Sequence, residues 1–426
     1  MKVIIVGAGI GGLAAGIGLR RKGHDVQIFE RSSLLREVGA AINVCPNASQ
    51  VLAQWGFDFK RSRMVTARSH LRASGITLQT DFTATYPDFT PLYGGPWLMA
   101  HRVDLHSELR RVAVDPEGLG KPVQLVLRAE VVDYDAQGGS ITLRDGSTHH
   151  ADLLVAADGV HSSAIRHVVG HPTPATATGW AVFRWLIPTE ELEGDPDIAP
   201  LLKGALSVRD GLSRFLSTEG NMRRIVWYPC ADNAIQNFVA VHEDRRTDDE
   251  REDWDRSADA EDVVAQYHDY HPDIVKIIRK ATNIKRWPLL YRDPVSTLSQ
   301  GRLVLIGDAA HPMLPHQGQG GAQAIEDGAA LGEIFAGIKD APTKDEIHDR
   351  LRIFEKVRLR RVSAMQVLSD AGQDRVFEVR ERAQQYMPEG VKVPSNQEEF
   401  WDHNFGYDIL ADSQRHVQAY LNGLDY

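Results

Sequence analysis

The residues best suited to chemistry sit in three glycine-bearing stretches. Gly7-Ala8-Gly9-Ile10-Gly11-Gly12 follows the apolar run 2–6 and opens a helical pattern over 13–22. A second apolar run, 25–29, ends on Glu30, with Arg31 directly after it. Strand, G-x-G-x-x-G turn, helix and second strand with a terminal acid make the dinucleotide fingerprint in its required context. Gly7 allows the tight turn, Gly9 lets backbone approach a pyrophosphate, and Gly12 lets the helix pack close to the strand. The free N–H groups and positive end of that helix then face the phosphates. A carboxylate at Glu30 accepts from a ribose 2′- and 3′-OH, which favours FAD or NAD over NADP.

The second stretch is Asp158-Gly159-Val160-His161-Ser162, after the apolar run 152–156. The third is Gly307-Asp308-Ala309-Ala310-His311-Pro312, after the apolar run 302–306. Both read as strand ends, and ligands of open α/β sheets sit at the C-terminal ends of strands. Asp308 there suits sugar hydroxyls, or it caps a following turn. In the loop 311–321, Pro312 and Pro315 stiffen the chain while Gly318, Gly320 and Gly321 leave its backbone bare. A helix beginning at Gly320 can hold a flat anion at its N-terminus, by about 1 kcal/mol or more for a reduced flavin. His316 either borders such a ligand or is merely exposed. Arg102 starts a helix over 103–112, where a cation opposes the dipole. Either a nearby anion compensates it or it sits in a surface salt bridge.

The elements needed to hold these groups suggest several units. The run 39–44 is small and apolar before a helix over 48–55, so Ala41 and its neighbours pass close to something flat or are simply tightly packed. Residues 71–82 read as a strand pair turning at Ser74-Gly75, and 86–96 as a long loop. Residues 123–135 and 140–143 read as antiparallel strands. From 179 to 241 the pattern turns to strands (180–187, 204–208, 224–228, 237–241), a second and mainly antiparallel sheet. Residues 242–262 are dense in charge and read as a solvated face; 262–281 reads as a helix. A long Arg-rich amphipathic helix over 345–371 and C-terminal helices follow. The fold class is α/β with an α+β second domain. The expected division is a discontinuous dinucleotide-binding domain, 1–175 and 293–340, a substrate domain, 176–292, and a helical region, 341–426. Segment 71–100 belongs to either of the first two.

Global properties narrow the function. The chain has 426 residues, 42% hydrophobic and 25% charged, as expected of a globular protein of more than one domain. A net charge of −10 argues against nucleic acid as partner. Cys45 and Cys230 are the only cysteines and form no CxxC pair, so a reduced, cytoplasmic setting without a metal site is expected. No apolar run reaches membrane-spanning length and no leader pattern opens the chain. The sequence is compatible with a monomer or a homodimer.

Together, Gly7 to Gly12 with Glu30, Asp158 to Ser162, and Gly307 to Pro312 with Pro315 and Gly318-Gln319-Gly320 resemble the single-component FAD-dependent aromatic hydroxylases. These include p-hydroxybenzoate hydroxylase and, more closely, salicylate hydroxylase. His101-Arg102 with Leu105, Gly39-Ala40-Ala41-Ile42 with Pro46-Asn47, Trp227-Tyr228-Pro229 and Trp401 are similar to the salicylate hydroxylase branch. The resemblance spans nearly the whole chain. It implies a Rossmann-type FAD domain of the p-hydroxybenzoate hydroxylase type, an antiparallel-sheet substrate domain and C-terminal helices. It implies FAD as cofactor, NADH or NADPH as co-substrate, O₂, and hydroxylation of a small phenolic or other electron-rich aromatic through a flavin C4a-hydroperoxide. A reductase or dehydrogenase of the same fold without oxygen transfer is the alternative, and a non-enzymatic FAD-bound protein a further one.

The resemblance also assigns residues. Gly7, Gly9, Gly12, Glu30 and Arg31 would serve the adenosine diphosphate half of FAD, and Arg102 its phosphate or ribityl region. Asp158 and Gly159 would serve both FAD and the nicotinamide, and Asp308 the ribityl hydroxyls. Ala41, Pro315, Gly318, Gly320 and Gly321 would edge the isoalloxazine, with Ala41 where the family usually has glycine. Arg166 stands one position later than the family pattern. In the substrate domain, Arg184 and Tyr228 match family positions, while Arg224 stands where some relatives carry a histidine. Arg184 or Arg224 would bind a carboxylate or form structural salt bridges. Tyr228 would bond a phenolic oxygen or be a core tyrosine.

Overall fold

The structure is a computed structural model and describes residues 1–33, 40–203, 210–217, 222–244, 257–371 and 373–424. Lys2–Val6 pairs in parallel with Asp25–Glu30 on one side and with Leu153–Ala156 on the other. Leu303–Leu305 adds in parallel beyond Leu153–Ala156. Gln124–Leu127 and the short Ser299–Gln300 close the two edges of this six-stranded sheet. The three central strands are almost wholly apolar and buried, as a parallel sheet covered on both faces requires. The three glycine-bearing loops therefore leave three adjacent strands at the same end.

Two helices bring their N-termini to that end. Ile10–Arg21 and Gly320–Ile334 cross at glycines, where no side chain fits. A Cβ on Gly18 would lie 2.3 Å from the Gly328 carbonyl oxygen, and one on Gly328 2.4 Å from the Ala14 carbonyl carbon. Near the loops, a Cβ on Gly11 would stand 3.4 Å from Ala324 Cβ. Small residues here set the distance between the two helix starts.

The second sheet has eight strands. Their order is Ser257–Ala258, Thr282–Tyr291, Thr176–Pro188, Ile235–Glu243, Arg224–Cys230, Gly211–Leu216, Ser69–Ser74 and Thr80–Thr85. All neighbours are antiparallel except Gly211–Leu216 with Ser69–Ser74. Alternation along the strands separates two faces. One buries Phe183, Trp185, Trp227 and Phe238 against Ala260–Tyr267 and Pro272–Ile278. The other faces the glycine loops. A small sheet, Ala41–Val44, Leu98–His101 and Val65–Thr66, lies between, and its Ala41 N–H donates to Asn237 Oδ1 of the large sheet at 3.1 Å. The long helix Lys344–Leu368 starts in a Thr343/Glu346 capping box and packs on Gly320–Ile334. Gln397–Phe405 and Ile409–Leu421 follow. No described helix is long and apolar enough to cross a membrane.

Several expectations need correction. Gln124–Leu127 is no antiparallel neighbour of Ser140–Leu143; it joins the parallel sheet beside Asp25–Glu30, and only Val131–Asp135 pairs with Ser140–Leu143. Gly211–Leu216 and Thr282–Tyr291 are strands that the pattern did not signal, and the expected strand 204–208 lies outside the described residues. The loop over 86–96 contains a helical turn, Thr90–Tyr93. Pro272 breaks the expected helix 262–281, because it lacks the N–H that a continuous helix needs there. His242 opens no solvated face; it is buried and stacks on Phe183 with ring centroids 4.2 Å apart. The long helix buries Arg350 and Arg358.

Candidate active site

A cavity of about 880 Å³ lies where the strand-end loops face the large sheet. At one end it is walled by Gly9, Gly11, Ala41, Arg102, Gly159, Asp308, Pro315 and Gly318 to Gly321. Both helix starts are bare here: neither Gly9 nor Gln319 caps with its side chain, and neither first turn carries an acid. Their N–H groups thus remain for a ligand anion. Gly7 and Gly12 lie behind the wall and shape it. A Cβ on Gly12 would stand 1.9 Å from the Gly7 carbonyl oxygen, so the helix can only pack this closely as glycine. Glu30 accepts the Ala8 N–H at 2.8 Å and the Ser32 N–H at 2.7 Å, which fixes its carboxylate beside the turn. Arg31 is exposed and does not line the cavity.

Buried hydrogen bonds and ion pairs fix the other two loops. Arg292 donates to the Ala309 carbonyl at 3.0 Å and to the Val160 carbonyl at 2.8 Å, tying both loops together. Asp327 accepts from the Gly307 N–H at 2.9 Å, from His311 Nε2 at 2.7 Å and from Arg358 Nε at 2.8 Å. Burial alone would raise its carboxyl, but His311 and Arg358 outweigh that and hold it at about 2. Tyr134 donates its hydroxyl to Asp158 at 2.8 Å. Asp308 opens into the cavity yet has dense protein around it. That desolvation raises its carboxyl, with His311, Arg102 and Arg292 pulling it back.

The opposite wall is the second face of the large sheet. Arg184, Val226, Tyr228, Val239, Leu212, Arg214, Arg224, His70 and Arg72 all line it, with Trp287 above Arg184. The Arg184 guanidinium lies 4.8 Å from the Trp287 ring centroid. Burial lowers the Arg184 pKa, so its cation carries a desolvation penalty that an anionic ligand oxygen would relieve. Burial pushes the Tyr228 hydroxyl far up, with Arg184 opposing, so Tyr228 is a proton donor at neutral pH. Arg224 donates Nε to the Met222 carbonyl at 3.1 Å. Tyr86, Trp97, Phe400 and Trp401 close the far end. Tyr86 and Trp97 stack with centroids 5.1 Å apart, and Trp401 meets Tyr86 edge-on.

Comparison with known proteins decides what this arrangement belongs to. Residues 1–366 match the family model described as FAD binding domain. The FAD-dependent monooxygenase cfoG of Aspergillus candidus is 39% identical over 429 residues, covering 99% of this chain and 96% of that protein. Hispidin-3-hydroxylase of Neonothopanus nambi is 34% identical, covering 99% and 97%. The chain belongs to the FAD-dependent monooxygenase family. Its fold is also that of a solved salicylate hydroxylase–substrate complex, with a TM-score of 0.74 at 23% identity, covering 98% of each chain.

The residues present fit FAD. The bare N-terminus at Gly9 suits a pyrophosphate, since nothing lies within 4 Å of where a Gly9 Cβ would be. The bare N-terminus at Gly320 suits the negative edge of a flavin, and Asp308 and Arg102 line the same cavity. Of the residues singled out from sequence, Gly9, Ala41, Arg102, Gly159, Asp308, Pro315, Gly318, Gly320, Gly321, Arg184, Arg224 and Tyr228 meet in one cavity, as does His316. Arg166 does not; it is exposed and pairs with Asp133 at 3.0 Å. Sequence reasoning missed Arg292, Tyr134, His70 and Arg214. Only Asp327 had a legible signal, as part of an acidic pair inside an otherwise small, apolar helix.

Proposed function

We propose that this flavoprotein monooxygenase uses NADH or NADPH and O₂ to hydroxylate a phenolic or similarly electron-rich aromatic. One observation carries the reading: a single cavity joins the FAD-type loops to a wall bearing Arg184 and Tyr228. Transfer of one oxygen atom to the ring leaves the other as water, which requires two electrons from outside. The overall balance is aromatic C–H plus O₂, NAD(P)H and H⁺ giving C–OH, NAD(P)⁺ and water. Bound FAD supplies the electron relay and the activated oxygen. Two relatives point the same way: one is named hispidin-3-hydroxylase, and the other, 6-hydroxynicotinate 3-monooxygenase, is named for oxygenation of a hydroxylated substrate.

The chain's own residues supply position and a dry site. Gly7, Gly9 and Gly12 shape the pyrophosphate turn, Glu30 meets the adenosine ribose with Arg31 beside it, and Arg102 meets the phosphate or ribityl region. Asp308 takes ribityl hydroxyls, and Asp158 and Gly159 stand where the nicotinamide would approach. Pro315 with Gly318, Gly320, Gly321 and Ala41 edges the ring. Tyr228 donates to the substrate's phenolic oxygen, and Arg184 stabilises negative charge there as the ring is attacked. Arg224 flanks them. The stacked Tyr86–Trp97 wall and Trp401 exclude water.

The test is oxidation of NADH and of NADPH by the purified yellow protein with a panel of phenolic acids and neutral phenols, under ¹⁸O₂. Stimulated oxidation with one labelled atom in the product is expected. Stimulation with unlabelled product and stoichiometric peroxide from every compound would favour the non-oxygenating alternative.

A further inference from the structure

Strand register on the large sheet lines up one row of side chains along the cavity wall. Arg184 pairs with Val239, Val239 with Val226, Val226 with Arg214, Arg214 with Arg72, and Arg72 with Phe82. All six line the cavity. Five strand spacings separate Arg184 from Phe82, about 24 Å along the sheet at roughly 4.8 Å each. The loop that edges the flavin stands over the Arg184 end, where its Leu314 packs with Val182, Val239 and Val241. A single ring held at Arg184 leaves most of the row uncovered.

The two ends differ in kind. At the near end Arg184 stacks on Trp287, and its Nε has no hydrogen-bond partner. At the far end both cations are already engaged. Arg214 donates Nε to His70 Nε2 at 2.9 Å, and that is not its only interaction. Arg72 pairs with Asp81 at 2.9 Å and lies over the Phe82 ring, 5.6 Å from its centroid. The far end therefore offers a ligand aromatic surface, from Phe82, Tyr86, Trp97 and Trp401. Trp401 is held in place from two sides. On its helix, Gln397–Phe405, Asp402 accepts the Tyr93 hydroxyl at 2.8 Å, and Arg361 donates to the His403 and Asn404 carbonyls at 3.1 and 3.2 Å. This helix lies beyond residue 366, outside the part matched by the FAD-binding family model, so Trp401 is no part of that matched scaffold.

Resting on the monooxygenase reading, we propose that Trp401, Tyr86 and Phe82 form a subsite for an uncharged aromatic ring, which makes Trp401 specificity-determining and the substrate a two-ring aromatic. The ring that is hydroxylated carries its oxygen at the Arg184 end. The second ring meets the aromatic walls edge-on or offset, as such rings prefer. A charged group on that second ring loses its hydration and finds the far-end cations taken.

Binding is read from the absorbance change of bound FAD. Four probes are compared: phenol, 4-hexylphenol, 4-hydroxystilbene and 4′-hydroxystilbene-4-carboxylate. The uncharged stilbene is expected to bind tightest, about tenfold or more tighter than phenol and than its own carboxylate. Trp401→Ala is expected to shrink the ratio of Kd values between phenol and 4-hydroxystilbene by about tenfold, and Trp401→Phe to restore part of it. Three results overturn the proposal in the parent protein, with no variant needed: equal affinity for phenol and 4-hydroxystilbene, tighter binding of the stilbene carboxylate than of the uncharged stilbene, or 4-hexylphenol binding as tightly as the stilbene. So does an unchanged ratio in a Trp401→Ala protein that retains FAD. The monooxygenase reading stands or falls separately, on label from ¹⁸O₂ in the product of any phenol, one-ring ones included.

Discussion

Tyr228 and Arg184 take their chemistry from where they are buried. The hydroxyl is pushed well above its ordinary range by desolvation, although the neighbouring cation pulls it back. Tyr228 thus contributes a proton to share, and no ionisation of its own near neutral pH. Tyr228→Phe removes the donor and leaves the ring in place. The expected result is FAD content unchanged, nicotinamide oxidation still stimulated, and hydroxylated product lower by roughly tenfold, the worth of one bond to a developing anion. Product yield per nicotinamide consumed, with peroxide measured in parallel, gives the answer. Full coupling in the variant would remove Tyr228 from the chemistry. The same burial explains why these two residues could be proposed from sequence only by resemblance: spacing says nothing of what lies against them.

Asp327 shows how elements position the loops. It sits on the helix Gly320–Ile334 but holds the loop before that helix, through Gly307 and His311, while Arg358 of the long C-terminal helix holds it in turn. Removing one partner of a buried pair costs about 3–5 kcal/mol, because the other charge is left unpaired. Asp327→Asn should therefore lower stability to urea by about 3 kcal/mol or more and speed FAD release, read by flavin fluorescence. A variant matching the parent in both would refute this role. A carboxyl held lower in the folded than in the unfolded chain stabilises above its ordinary pKa. Its contribution is lost as pH falls through about 2. The strand-end loops were legible because glycines and acids recur at fixed local spacing. The row from Arg184 to Arg214 was not, since it exists only once residues far apart in the chain pair in register. Gln124–Leu127 misled for the same reason: its partner Asp25–Glu30 lies about a hundred residues earlier, and no local pattern marks a parallel edge.

Among the described residues, burial keeps histidines neutral in three separate places. His24 bonds the Phe335 carbonyl under the first helix, His70 sits in the far end of the cavity wall, and His403 lies on the C-terminal helix Gln397–Phe405. Desolvation lowers His24 to about 4, His70 to about 3 with help from Arg214 and Arg72, and His403 to about 4 with help from Arg361. The unfolded chain takes up these three protons near pH 6.5, while the folded chain does so only two or more units lower, as those values require. Between those limits the unfolded state binds more protons, so stability falls as pH falls. Each group contributes about 1.4 kcal/mol per pH unit within its window. Asp370 works the other way. Burial raises its carboxyl to about 6 against the pull of Arg382, so the folded chain takes that proton first and gains stability as pH drops from 6 towards 4. Asp158 and Asp308, whose carboxyls burial also raises, act in the same sense as Asp370. Because His70 is held at about 3, the urea midpoint of FAD-loaded His70→Gln should fall less, or rise more, than that of the parent between pH 6.5 and 5, by about one group's share. The same pH dependence in variant and parent would mean that His70 protonates in the folded chain as it does in the unfolded one.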